Sequence, residues 1–511
     1  MKVANRVIFN TVVLYVKIIV TTLISLVSVP LILKALGTDD YGLYNLVAGV
    51  VAMLSFLNAS MTVATQRYLS VAIGSNNPEK LNTIFNCAVL LHLLIGVILV
   101  IVFEICGLFI FDGFLNINPE RISTAKIIYQ LIVFSTFFTI LTVPYGAVMN
   151  AKENMLAFSI IEIVDSVLKL LLAISLSLYG QDRLILYGVG VASISVLNIL
   201  FNRLYVKMRY REFFFSPKKY YDVSTFKSMF GFAGWNAFGA VANIGRNQGI
   251  AVVMNLFLGT AINAAYGIAN QINGVLGHFA VTFNKSINPQ LMQSEGMGNR
   301  ERLQKISFIL SKFSFVVMAF FAVPLIVEMP YVIKLWIGEK APAYTVIFAQ
   351  LVLILTMIHQ YSNGLMSAIQ AVGKIGLYQV TMGVLLLLNV PICYFMMKEG
   401  CLPYYCIVCF IVIETVSLFT RMLFAKTFVK ISMSQFVLKV ILSSLIPVGI
   451  GLTISYILHM VMAESFIRLI CVVLCYFIVY IIALWIVCFN QQEKKIFSGF
   501  LFGIKSKLVS K

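Results

Sequence analysis

Apolar stretches of about 20 residues or more recur along almost the whole chain, separated by short polar segments. Each is long enough to cross ~30 Å of hydrocarbon as a helix rising about 1.5 Å per residue. In lipid the backbone must satisfy its own polar groups, and no segment alternates as a membrane barrel strand does, so the runs predict α-helices. With 60% hydrophobic and 11% charged residues among 511, and a mean hydropathy of +0.95, a water-soluble fold has nowhere to hide this surface. The fold class expected is therefore all-α integral membrane. About 14 spans are expected, among them 8–33, 42–66, 228–257, 262–288, 436–459 and 465–489. The first is too long for a signal-peptide core and carries Lys17 in its middle, so it is expected to remain a span.

Lysine and arginine divide unequally between alternate loops. With both termini placed in the cytoplasm, 26 fall on that side. Eight fall on the other: Lys34, Arg121, Lys126, Arg183, Lys334, Lys340, Lys398 and Arg468. Lys17, Lys169, Arg246 and Lys439 lie within spans. The asymmetry predicts cytoplasmic termini. It also accounts for the net charge of +18 through attraction to an anionic leaflet, and no nucleic-acid partner is expected.

A weak internal repeat divides the chain. Leu36-Gly37-Thr38 recurs as Leu258-Gly259-Thr260, and Gly74-x-x-Asn77-x-Glu79-x-Leu81 recurs as Gly296-x-x-Asn299-x-Glu301-x-Leu303, both at an offset of 222 residues. Six spans per copy is an even number, which predicts two parallel six-helix repeats with two extra C-terminal helices. The boundaries expected are 1–206 and 228–427 for the lobes, 207–227 for a basic, solvated cytoplasmic linker, 428–489 for helices 13 and 14, and 490–511 for a basic tail.

Polar groups inside such spans are costly and mark cavities or partners. Asn236, Asn243 and Asn247 share one helical face with Arg246 beside them, and the next span carries Asn270, Asn273, His278, Asn284 and Lys285. These amides either join helices or line a cavity. Arg246 favours the cavity, because helix packing does not need a guanidinium and that fork suits a phosphate. Lys17 is the second cation at midspan. Arg67 and Lys285 lie near inner span ends, where snorkelling competes with ligand contact. Glu162, Asp165 and Lys169 share a face of one span, so Asp165 and Lys169 form an ion pair or an acid there binds a coupling ion. Glu104 and Glu414 read as isolated, snorkelling acids.

The nine cysteines sit in or beside apolar runs and read as small hydrophobes, the Cys406-Ile-Val-Cys409 spacing included. His92, His278, His359 and His459 lack metal-ligand spacing, with His278 and His359 the candidate cavity liners. No catalytic residue, metal or cofactor is expected.

The segment Val29-Pro30-Leu-Ile-Leu-Lys-Ala-Leu-Gly37-Thr38-Asp39-Asp40-Tyr41-Gly42-Leu-Tyr44, with the repeated Gly-x-x-Asn-x-Glu-x-Leu, resembles bacterial polysaccharide flippases. These are the Wzx-type O-antigen and capsule repeat-unit exporters of the MATE-like superfamily. The resemblance implies a two-lobed MATE-like transporter of the bacterial inner membrane that flips undecaprenyl-diphosphate-linked oligosaccharide by alternating access. The lipid-linked oligosaccharide, membrane lipids and the polysaccharide polymerase and export machinery would be its partners. For that substrate Lys17, Arg246, Arg67 and Lys285 are the diphosphate candidates. Asn236, Asn243, Asn247, Asn270, Asn273, His278 and Asn284 are the sugar and cavity candidates, and Glu162 and Asp165 the candidates for ion coupling.

Two rivals compete with a flippase. A MATE-type cation-coupled exporter of small cations keeps the fold but wants buried acids without neighbouring cations. A membrane glycan polymerase or transferase needs a sizeable extramembrane loop and a catalytic constellation, and the longest loops expected here are about 15 to 20 residues.

Overall fold

The longest helix begins at Val223 and does not end until Gly296, 74 residues in all. Straight, it would measure ~110 Å, several times the hydrocarbon thickness. It is broken at Gly259, whose φ of 77° and ψ of −176° belong to no helix. The first helix, Val3–Ala52, is broken in the same way at Gly37, with φ 80° and ψ 171°. Only glycine reaches this region at little cost. The two breaks stand at the equivalent positions of the sequence repeat.

The second pair of repeated segments also has matching backbones. Asn76 and Gly298 both take positive φ, 50° and 68°. Asn77 then caps one helix by accepting from the Lys80 amide at 3.0 Å, and Asn299 caps another by accepting from the Arg302 amide at 2.9 Å. Glu79 and Glu301 follow in the first turns, where a carboxylate complements the helix dipole.

This computed structural model describes residues 3–52, 55–109, 111, 117–338, 341–491 and 493–494. Lys340 and most of the expected basic tail, 490–511, lie outside the described residues. In order the helices are α1 (Val3–Ala52), α2 (Ser55–Gly74), α3 (Pro78–Phe109), α4 (Ile122–Ala151), α5 (Met155–Ser175), α6 (Arg183–Arg209), α7 (Pro217–Tyr220) and α8 (Val223–Gly296). Then come α9 (Arg300–Ile337), α10 (Thr345–Gln360), α11 (Ser362–Val372), α12 (Gly376–Leu387), α13 (Asn389–Lys398), α14 (Tyr405–Val429), α15 (Met433–Phe436), α16 (Ser443–Val461) and α17 (Phe466–Ala483). No strand occurs among the described residues.

Among the described residues ten helical stretches are long and apolar enough to cross a membrane, or eleven if the α10–α11 pair, bent by 41°, is one span. That is fewer than the 14 expected, for local reasons. Each of α1 and α8 is counted once although its glycine break divides it into two helices, and α5 carries three charges.

Contacts divide the chain into two compact units, one essentially Asn10–Ala237 and the other essentially Phe238–Glu295 with the residues from Asn299 on. In the first, Leu99, Phe103, Ile128, Tyr129, Val133 and Leu184 form a core where α3, α4 and α6 meet the end of α1. The break at Gly37 is stitched nearby. Arg121 at the start of α4 bonds both Asp40 in α1 and Asp182, the N-cap of α6, the latter at 2.8 Å. Arg183 donates to the Ala35 carbonyl at 3.0 Å.

The basic segment after α6 is not simply solvated. Phe213 is buried against Phe85, and Asn86 accepts from the Ser216 amide at 2.7 Å while donating to the Phe214 carbonyl at 3.0 Å. Burial pushes the Glu212 carboxyl up, but the Lys152 ammonium 2.9 Å away outweighs it and holds it below the usual range.

In the second unit α9 is the spine. Tyr476 and Tyr480 of α17 donate to the Ala319 and Val316 carbonyls at 3.0 and 3.3 Å, and Phe320 stacks on Phe477. At one end of α9 the buried Glu328 is held by Arg468 at 2.9 Å and by His459 at 2.8 Å. Towards the other end, Lys312 meets Glu493 at 2.6 Å. The C-terminal helices are thus fixed to α9 by buried charge as well as by apolar contact.

Candidate functional site

In the first unit, the mid-helix charges answer one another. Lys17 of α1 lies 2.5 Å from Glu162 of α5, with 16% and 36% of the two side chains exposed. One turn further along α5, Lys169 pairs with Asp165 at 2.7 Å. Asn198 of α6 donates to Asp165 at 3.1 Å and accepts from Asn202 at 2.8 Å. A diphosphate candidate and a coupling candidate therefore form one ion pair. Arg67 is buried, its guanidinium 4.7 Å from the Tyr68 ring centroid and 4.9 Å from that of Phe232. Asn236 is buried and donates to the Phe232 carbonyl at 2.9 Å.

In the second unit, the α8 residues Asn243 and Asn247 converge on Arg246. The guanidinium donates to Asn243 Oδ1 at 3.0 Å and to Asn247 Oδ1 at 3.2 Å, and lies 5.4 Å from the Phe410 ring centroid. Arg246 is half-buried and both asparagines are exposed. Among the described residues no carboxylate is within ion-pair distance of it.

The polar stripe after the Gly259 break is split among several helices. Asn270 donates to the Tyr266 carbonyl of its own helix. Asn273 accepts from Thr356 of α10 at 2.7 Å, and Asn284 accepts from Ser314 of α9 at 2.8 Å, so both join helices. His278 is exposed and Lys285 half-buried.

A buried network that the sequence reading missed lies on α14. Glu414 is not isolated. It accepts from Arg421 at 2.6 Å and bonds His359 at 2.9 Å, with only 2% of its side chain exposed. Arg421 also donates to Ser362 at 2.9 Å. His359 and Ser362 flank the α10–α11 bend, which turns both toward α14, and 40% of the histidine side chain stays exposed. Phe410, beneath Arg246, is one turn before Glu414. A sequence signal existed: Glu414 and Arg421 are seven residues apart and so share a helical face. Lys312 of α9 and Arg468 of α17, the latter expected on a loop, are likewise buried in pairs with Glu493 and Glu328.

All nine cysteines are free. Among the described residues no group of three or more His, Cys, Asp or Glu side chains is placed to hold a metal ion.

The MatE family profile matches residues 14–175. No curated protein matches the chain. Several solved structures share the fold at low identity. One is an outward-facing multidrug resistance MATE family transporter of the MOP superfamily, 14% identical, with a TM-score of 0.71 over 83% of this chain and 95% of that one. A MATE protein in the bent conformation, also 14% identical, gives 0.74 over 83% and 95%. A MOP superfamily transporter from Pyrococcus furiosus, described as having a binding pocket of reverse polarity, is 13% identical with a TM-score of 0.70 over 84% and 96%. The chain is a multi-pass membrane protein with the MATE transporter fold.

Proposed function

We propose that this protein is a flippase that carries undecaprenyl-diphosphate-linked oligosaccharide, an O-antigen, capsule or exopolysaccharide repeat unit, across the bacterial inner membrane by alternating access. Both termini then face the cytoplasm. The observation that carries this reading is Arg246. It is a guanidinium in a membrane helix, half-buried, oriented by two amides and, among the described residues, with no carboxylate within ion-pair distance. A diphosphate needs such a cation where water is scarce, and the exposed Asn243 and Asn247 beside it offer donors and acceptors to sugars. The charge balance points the same way. The buried acids Glu328 and Glu414 are each neutralised by an arginine, and Glu162 and Asp165 each by a lysine, which leaves a cationic cargo without a ready site. The Pyrococcus furiosus transporter is described as having a reversed pocket polarity, and an arginine held by amides in a membrane helix would be a means of reversing polarity.

The second reading is a MATE-type cation-coupled exporter of small molecules, favoured by the multidrug transporter among the similar structures. Proteoliposomes separate the two. Lipid-linked oligosaccharide should be translocated and ethidium not. Arg246→Ala should lower translocation about tenfold to a hundredfold, as expected for a lost charge-assisted hydrogen bond, with Arg246→Lys intermediate. Wild-type translocation by a well-folded Arg246→Ala protein, or transport of ethidium alone, would overturn the proposal.

A further inference from the structure

A groove of about 910 Å³ runs along the surface between α3 and α4, and none of the candidate diphosphate, sugar or coupling residues lines it. Small residues let the two helices close at both ends. A Cβ on Gly96 would stand 3.0 Å from the Phe137 ring, and one on Gly107 would stand 2.9 Å from Tyr129, whose hydroxyl donates to the Phe103 carbonyl at 2.5 Å. Between these contacts the side chains part.

The groove changes character along its length. On α4, Lys126, Gln130, Phe134 and Phe138 follow at intervals of four and so share a face. Opposite them on α3 stand Glu104, Ile101 and Val97. One end therefore carries an ammonium, an amide and a carboxylate, and the rest is aromatic and aliphatic. Phe134 and Phe138 pack with ring centroids 4.7 Å apart. From Lys126 to Phe138 the helix rises ~18 Å, comparable with one leaflet of hydrocarbon. Glu104 takes its hydrogen bond from Gln130 at 3.0 Å, while the Lys126 ammonium lies 5.9 Å from the Phe111 ring centroid. Both charged groups are exposed and neither neutralises the other.

We infer that this groove holds one glycerophospholipid with a phosphoethanolamine headgroup, in the leaflet opposite the chain's N-terminus. Lys126 takes the phosphate, Glu104 the primary ammonium, and Phe134 and Phe138 line an acyl chain. An anionic headgroup would meet Glu104 as a like charge, and a choline has no N–H to give it. The opposed charges at one mouth thus select a zwitterion with a hydrogen-bonding ammonium.

The full-length protein in detergent, supplied separately with phosphatidylethanolamine, phosphatidylglycerol and phosphatidylcholine, tests this by native mass spectrometry with melting temperature in parallel. Phosphatidylethanolamine should be retained about tenfold more than either other lipid and should raise the melting temperature most. Lys126→Gln should lower retention of every phospholipid, and Glu104→Gln should abolish the preference for ethanolamine while leaving an unliganded protein of normal stability. Equal retention of the three lipids by the wild type would overturn the inference, as would unchanged preference in Glu104→Gln. A change in subunit stoichiometry in these variants would also overturn it, by making the groove a protein contact.

Discussion

Residues 10–237 answer each of their mid-helix lysines with a carboxylate on a neighbouring turn or helix, and they do so in partly exposed positions. From residue 238 on, the pattern inverts. Acids are sealed inside with arginines, as with Glu414 at 2% and Arg421 at 4% exposure, while Arg246 is left to neutral amides. At two points the backbones of the two regions nevertheless repeat each other. Gly37 and Gly259 break their helices with nearly the same angles, and Asn77 and Asn299 cap theirs with the same bond. The difference teaches that stereochemical devices are held in common, because the fold needs them twice. Charge is not, because ion pairing depends on which side chains the helix packing brings together and not on the backbone path.

The largest expected effect is at the sealed acid. Glu414→Gln strands the Arg421 charge and should cost about 3–5 kcal/mol, read as a lower melting temperature of the purified protein. Adding Arg421→Met should recover most of the loss. If Glu162→Gln proved equally damaging, the contrast between a sealed network and an open one would fail.

Next in size are the breaks. Gly37→Ala and Gly259→Ala each force a side chain into a region that glycine alone enters readily, at about 1–3 kcal/mol. Similar losses at the two positions would support their equivalence. A loss at only one would mean that the other angle pair is incidental.

The smallest effect belongs to Lys17 and Glu162. A double-mutant cycle on this pair should give a coupling of only about 0.2–1 kcal/mol, because Glu162 is 36% exposed. A coupling of several kcal/mol would place the pair in a dry setting and bring it into line with Glu414.

The membrane class could be read from the sequence with ease, since it follows from how much apolar surface the chain carries and in what lengths. The equivalence of Gly37 with Gly259 was legible too, though only as identity; the letters do not say that both stand at helix breaks with positive φ. Within the candidate site, the convergence of Asn243 and Asn247 on Arg246 was visible as spacing on one helix. The Asp165–Lys169 pair was visible for the same reason. Lys17–Glu162 was not, because its partners are 145 residues apart and meet only when α1 packs on α5. Glu414 reads as isolated because one of its partners, His359, comes from another helix, and the other, Arg421, lies two turns away on its own helix.

The sequence by itself determined that the chain crosses a membrane as helices and which few polar residues the bilayer forces to find partners. These are properties of local composition and of single-residue stereochemistry, fixed before any two helices meet. Only the tertiary structure decided which charges cancel. Lys17 pairs with Glu162, Arg421 with Glu414, Lys312 with Glu493 and Arg468 with Glu328, and Arg246 has no acid within ion-pair distance among the described residues. The physical reason is range: an ion pair acts over a few ångströms in space, and helix packing sets that distance with little regard for separation along the chain.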